Sequence, residues 1–252
     1  MSVTPGEISE AAAWQQVEFG SYAADLPLWV ELAGRADGPV FELGAGSGRV
    51  ALHLSGHGHE VIALERDPDL AAVLERASER LATPLRIVQA DLASPAELDL
   101  RARPSLAIGP LHVIQMLDAE TRPALLARLR DLLAAGGSLA LTVVDEDTIL
   151  SAGASATQIL PDMREFEGWV YSSEPLWVQV GDDALTVRRV RERVSPDGAM
   201  ERFIHDEVLQ RISPERLEIE AADAGFVPAG RRQISSGPNE ADSIAVLLEV
   251  PW

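Results

Sequence analysis

Residues 40–48 read Val-Phe-Glu-Leu-Gly-Ala-Gly-Ser-Gly, and Glu65 closes the next apolar run, Val61-Ile62-Ala63-Leu64. A strand, a glycine turn, a helix start and then a carboxylate ending a second strand make a site for a ribose-bearing ligand. The glycine spacing separates two such ligands. A dinucleotide fingerprint is G-x-G-x-x-G, whose third glycine lets the helix pack closely while its N-terminus faces a pyrophosphate. Gly44, Gly46 and Gly48 instead give G-x-G-x-G, and Arg stands at position 49. Glu42 lies two residues before the first glycine. A carboxylate aimed at a pyrophosphate is repelled, whereas one aimed at an amino group is attracted. The implied ligand has a ribose at one end and a cation near the glycines. S-adenosylmethionine meets that description better than a nicotinamide dinucleotide.

The elements around these residues form a regular pattern. Strands are predicted over 38–43, 60–65, 85–90, 105–109 and 138–144, with helices over 48–56, 68–82 and 119–134 between them. Such alternation means parallel strands joined by crossover helices, hence an α/β doubly wound sheet. Two further helices, 9–19 and 25–35, precede it. After Asp145 the pattern changes. Residues 146–167 read as irregular, and 168–180, 185–194 and 199–209 as an antiparallel meander whose hairpins turn at Gly181-Asp182-Asp183 and Ser195-Pro196-Asp197-Gly198. Ser213-Pro214-Glu215 opens a helix over 214–224, and two strands, 227–233 and 243–250, finish the chain. The expected organisation is a cofactor-binding core with its N-terminal helices over 1–145, an inserted lid over 146–212, and a return to the core over 213–252.

Composition narrows the partners. The chain has 252 residues and a net charge of −19, and all 21 basic residues are Arg. So negative a surface repels phosphate backbones, and no basic block offsets it, which argues against nucleic acids and anionic membranes. A small molecule is the expected partner. Without Cys or Lys, disulfides, thiolate chemistry and lysine Schiff bases are excluded. No apolar run approaches a membrane span, and the N-terminus lacks a signal-peptide pattern, so a cytoplasmic enzyme is expected.

Taken in order, these pieces resemble the class I S-adenosylmethionine-dependent methyltransferases, in particular small-molecule members with an antiparallel lid before the last helix. The resemblance rests on the Glu42–Gly48 turn, Glu65, Gln89-Ala90-Asp91-Leu92 after the third strand, Gly136-Gly137 before the fifth, and Ala224-Gly225-Phe226 near the end. It implies a Rossmann-like, mostly parallel seven-stranded sheet with S-adenosylmethionine as cofactor. It further implies that Glu42 holds the methionine ammonium and Glu65 the ribose hydroxyls. Asp91 and the Leu92 amide would read the adenine, and Arg66 would cover one adenine face. Gly44, Gly46 and Gly48 would admit the ligand to the backbone, and Gly109, Pro110 and Leu111 would line the methionine end. Many relatives begin the fourth strand with an acidic residue and carry Pro before the double glycine. This chain has Pro104-Ser105-Leu106 and Ala135. The Asn/Asp-Pro-Pro-aromatic motif is also missing after the fourth strand, which argues against exocyclic amines of DNA bases as acceptors.

The expected reaction is methyl transfer to an oxygen or nitrogen of a small metabolite. The alternatives are a non-catalytic protein that binds S-adenosylmethionine or its demethylated product, and a nicotinamide-dependent oxidoreductase. His112 is the first candidate base, because it follows the fourth strand beside the expected methyl position; its alternative is a packed, hydrogen-bonded histidine. His205, in the lid, is the second. Trp14, Tyr22 and Tyr171 are candidate walls of an acceptor pocket, and Arg211 either pairs with an acidic substrate group or bridges lid to core. No metal site is expected, since no third ligand type accompanies His57 and His59. In the lid, Leu176/Val178/Val180 and Met200/Ile204/Val208 are expected to pack on the core, with Phe203, His205 and Glu207 on the opposite face. The run Arg188–Arg193 reads as a solvated strand edge.

Overall fold

The computed structural model describes residues 8–146, 161–236 and 241–252. The core strands are β1 (Val40–Leu43), β2 (Val61–Glu65), β3 (Arg86–Gln89), β4 (Leu106–Gly109) and β5 (Ser138–Val144), with β10 (Val227–Ile234) and β11 (Ser243–Glu249) closing the chain. They form one seven-stranded sheet in the order β10-β11-β5-β4-β1-β2-β3. From β5 to β3 all pairs are parallel, while β11 runs antiparallel to both neighbours. The strand order reverses between β1 and β4, which opens a crevice outside their carboxyl ends.

Alternation along the strands decides which side chains reach that crevice. Phe41, Leu43, Ile62 and Leu64 point to one face, where they pack under α5 (Thr121–Leu132) and α6 (Pro214–Asp223). Val40, Val61 and Ala63 point to the other, beneath α2 (Leu26–Ala33) and α3 (Arg49–Gly56). Each large aliphatic side chain buried this way contributes about 1.5–3 kcal/mol. Glu42 and Glu65 share parity with the second set, so both carboxylates emerge on the α3 side. A buried ion pair joins the two covering helices of the first face: Arg122 Nε donates to Glu220 Oε2 at 3.1 Å, and Arg122 also donates to the Leu117 carbonyl.

The helices start where their sequences dictate. Ser9 caps α1 (Glu10–Glu18) and Ser213 caps α6, each accepting from an amide three residues on. Asp67 caps α4 (Pro68–Ser78), with Pro at its first position.

The second sheet has four antiparallel strands in the order β6-β7-β8-β9: Asp162–Phe166, Trp169–Val180, Ala184–Val194 and Met200–Gln210. Three expectations are corrected here. Part of the stretch expected to be irregular is a strand, β6, paired through a turn at Glu167-Gly168 with β7; residues 147–160 of that stretch lie outside the described residues. The arginine-rich β8 is an interior strand, and most of its charges are bridged to neighbours rather than solvated at an edge: Arg188 pairs with Asp206 and Arg191 with Glu18. The faces of β9 are also reversed, while Val180 of β7 packs beside Val144 as expected. Leu176, Val178, Met200, Ile204 and Val208 are exposed, while Phe203 packs inward on Trp14 and Leu209 is buried with Val144. Apolar alternation marks two faces but does not say which one meets the core; here ion pairs from α1 select the polar face.

Candidate functional site

The crevice holds a cleft, partly open to solvent, lined by Glu42, Gly44–Ser47, Arg49, Pro110 and Leu111 on the sheet side. Gln15, Gln16, Phe19 and Gly20 of α1 and the turn after it form the opposite wall. The glycine turn has a left-handed backbone at Gly44, Gly46 and Gly48, with φ of 65°, 59° and 97°. The glycines serve different ends. A side chain on Gly46 would strike the Gln15 amide at the cleft wall, whereas one on Gly48 would strike Leu74 and Leu52, away from the cleft.

Glu65 is buried and locked. Its Oε2 accepts from the Gly46 amide at 2.7 Å and its Oε1 from the Asp67 amide at 2.8 Å. Each oxygen keeps a second lone pair, so the carboxylate is held in place yet can still accept two hydroxyl protons. Asp91, one strand further along the sheet edge, accepts from the Ala93 amide at 2.9 Å. Arg66 is exposed and stands 3.8 Å from Asp91. The side chain of Leu92 is buried in the core.

Glu42 differs from both. It is 2% exposed, and its Oε2 has no hydrogen-bond partner. Burial raises its pKa to about 8, against the pull of Arg49 and the Ala51 amide. The Nη groups of the nearby cation are engaged: Arg49 donates to both Asp25 oxygens, at 2.6 and 2.7 Å, and to the Tyr22 carbonyl, while its Nε has no hydrogen bond. Asp25 also accepts from the Trp29 indole at 2.8 Å. An orphaned carboxylate in a polar cleft is what an ammonium ligand would complete, and this fits the amino-acid end of S-adenosylmethionine.

Beyond β4 the chain bends through Leu111 and His112, both left-handed, with φ of 48° and 60°. Such geometry costs about 1–2 kcal/mol per non-glycine residue and needs local support. The His112 amide donates to Thr142 Oγ1 at 3.0 Å, Thr142 donates to the Gly109 carbonyl, and His112 Nε2 lies 2.7 Å from Ser243 Oγ. Burial holds the His112 imidazole down to about 4. His205 lies on the inward face of β9, its pKa also lowered by burial and by Arg191.

Trp14 and Tyr171 meet edge to face at 4.9 Å between α1 and the lid, and both are buried. The Tyr22 ring lies under the Arg49 guanidinium. Arg211 donates to Glu146 and to the Gly181 carbonyl, tying the β7–β8 turn to the end of the core sheet. His53 and His57 sit with rings 4.5 Å apart; among the described residues no three metal-ligating groups come together.

Sequence reasoning missed Gln15, Gln16, Asp25 and Arg49. Gln15 accepts from the Ser47 amide at 2.8 Å, and Gln16 donates to Ser47 Oγ at 2.9 Å. An adjacent polar pair in an otherwise apolar helix was a visible signal. Arg49 directly follows the last glycine, but nothing local linked it to Asp25.

The sheet order, the antiparallel last strands and the cleft at the switch point define the class I methyltransferase fold. Residues 40–137 match the family model described as a methyltransferase domain, and that segment accordingly carries such a domain. Among solved structures it is similar to the sugar N-methyltransferase KedS8 from Streptoalloteichus sp ATCC 53650, with 19% identity, a TM-score of 0.71, and 100% of this chain and 97% of that one covered. It is also similar to CalS10, an amino pentose methyltransferase from Micromonospora echinaspora, with 16% identity, a TM-score of 0.65 and 94% of each chain covered. A third is an S-adenosylmethionine-dependent methyltransferase from Clostridium acetobutylicum, with 11% identity, a TM-score of 0.70, and 96% and 98% covered. No curated protein matches the sequence significantly. No helix among the described residues is long and apolar enough to cross a membrane.

Proposed function

We propose that this enzyme methylates a nitrogen of a small hydroxylated metabolite, with an amino sugar the best-supported class. In this reading Glu42 accepts from the methionine ammonium and Glu65 from both ribose hydroxyls. Asp91 and the Leu92 amide take the adenine edge with Arg66 beside it, and Gly109 and Pro110 flank the methionine chain. When bound, S-adenosylmethionine supplies an electrophilic methyl group on a sulfonium, open to in-line displacement.

The observation that carries nitrogen over oxygen is the state of His112. A hydroxyl needs a base to remove its proton as it attacks, and such a base works best with a pKa near the working pH. An imidazole held near 4, with Nε2 engaged by Ser243, is poorly suited to that work. An amine can lose its proton to water beforehand and attack as the neutral species. The protein's task is then alignment and exclusion of water. The lid serves the second need, since Gln115 donates to the Gln210 carbonyl and Arg191 closes on Glu18, holding the antiparallel sheet to the core. The likeness to a sugar N-methyltransferase and an amino pentose methyltransferase supports the same class of acceptor.

The test is mass-spectrometric detection of methyl transfer to matched amines and alcohols, for the wild type and His112→Gln. Amine products from both proteins, with rates within about tenfold, are expected. A general base contributes about 10²–10⁴-fold, so a loss of that size, or products from the alcohols alone, overturns the nitrogen assignment.

A further inference from the structure

Strand β9 directs Phe203, His205, Glu207 and Leu209 at the core. Both ends of that row are anchored: Phe203 meets Trp14 of α1 edge to face at 5.4 Å, and Leu209 is buried with Val144 at the end of β5. His205 and Glu207 stand between these anchors on the same face of the strand. Across the ladder, Arg189 of β8 lies opposite His205 and shares its face.

These three polar side chains lack close partners, Arg189 having only a loose ion pair with Asp162. Arg189 Nε and Nη1 are buried without a hydrogen bond, and the Asp162 carboxylate is 3.9 Å away, beyond bonding range. Among the described residues, the side chains of His205 and Glu207 form no hydrogen bond or ion pair. Looseness of the sheet does not explain this, because Arg188, Arg191, Arg193 and Arg202 each close on a carboxylate. Buried guanidinium N–H groups carry their full desolvation penalty unless something supplies acceptors.

We infer that this stretch of the lid reads the methyl acceptor: Arg189 donates to uncharged oxygens of a polyhydroxylated molecule, and Glu207 accepts from one of its hydroxyls. The inference rests on the small-molecule reading above. Charge favours a neutral group over an anion. Three carboxylates, Glu18, Asp162 and Glu207, face three guanidinium groups, Arg164, Arg189 and Arg191, so the charges here balance. An added carboxylate or phosphate would upset that balance, whereas hydroxyls can both donate and accept without changing it. Burial also pushes the Glu207 carboxyl up, against the pull of Arg189.

The test uses the full chain saturated with S-adenosylhomocysteine. The Arg189 Nε–H resonance, assigned by its loss in Arg189→Lys, is followed by NMR. Methyl glycosides bearing an amine at C2, C3 or C4 are titrated in, with hydroxyl-free cyclohexylamine as the control. The resonance is expected to shift with at least one glycoside and not with cyclohexylamine. The dissociation constant of that glycoside should rise about tenfold in Glu207→Gln, with S-adenosylhomocysteine affinity unchanged, which also shows that the variant is folded. A resonance unmoved by every glycoside, or an unchanged glycoside affinity in Glu207→Gln, overturns the inference. If the resonance shifts but no amine is methylated, the recognition surface stands and the nitrogen assignment falls instead.

Discussion

Both Nη groups of Arg49 close on Asp25, at 2.6 and 2.7 Å, and Glu42 Oε2 nearby is left without a hydrogen bond. That relationship keeps a buried carboxyl, protonated below about pH 8 in the free protein, available for a ligand. Replacing Asp25 with Asn should free Arg49 to turn toward Glu42 and compete with the ligand ammonium. S-adenosylhomocysteine affinity is expected to fall by about 1.5 kcal/mol. Calorimetric titration of the folded variant measures this, and an unchanged affinity would show that Asp25 does not shield Glu42.

Glu42 also makes stability depend on pH. Its folded pKa, about 8, lies above its ordinary value of 4.5, so the folded state holds a proton that the unfolded chain has released. Stability is therefore full below the unfolded value and declines as pH rises toward 8, by at most ~1.4 kcal/mol per pH unit. Glu42→Gln should remove that decline, melting higher than the wild type at about pH 9 while binding S-adenosylhomocysteine less well. Paired melts across this range, with a binding titration, check both halves. A wild type without this decline would contradict the buried, uncompensated state of the carboxylate.

Glu65 is pinned by two amides and keeps free lone pairs for a ribose. Glu65→Ala should weaken S-adenosylhomocysteine binding by ~1.5–3 kcal/mol, the range for hydrogen bonds to a charged group. Equal binding in a folded variant would remove the ribose role.

Arg122 and Glu220 form a pair with both side chains about 5% exposed or less. Removing one partner strands the other charge in an apolar setting. Glu220→Ala should cost ~3–5 kcal/mol in urea unfolding. Arg216, which also reaches Glu220, is mostly exposed, and Arg216→Ala should cost under about 1 kcal/mol.

Much of the core could be read from local pattern. Each core strand begins and ends within about two residues of its apolar run, and Ser9, Asp67 and Ser213 cap helices where their types require. The glycine turn with carboxylates at 42, 65 and 91 is likewise a matter of spacing along consecutive strands, because the side-chain period of two puts Glu42 and Glu65 on one face.

Pairings between distant segments were decided elsewhere. Asp25 with Arg49, Glu18 with Arg191, and His112 with Ser243 join residues that no periodicity relates. Alternation in β9 marked two faces, but the docking of α1 chose the polar one, since an ion pair needs both its members and only the fold brings them together. Local sequence set the elements and the chemistry they carry. Tertiary packing alone determined which charges were satisfied and which, at Glu42 and Arg189, were left for a ligand.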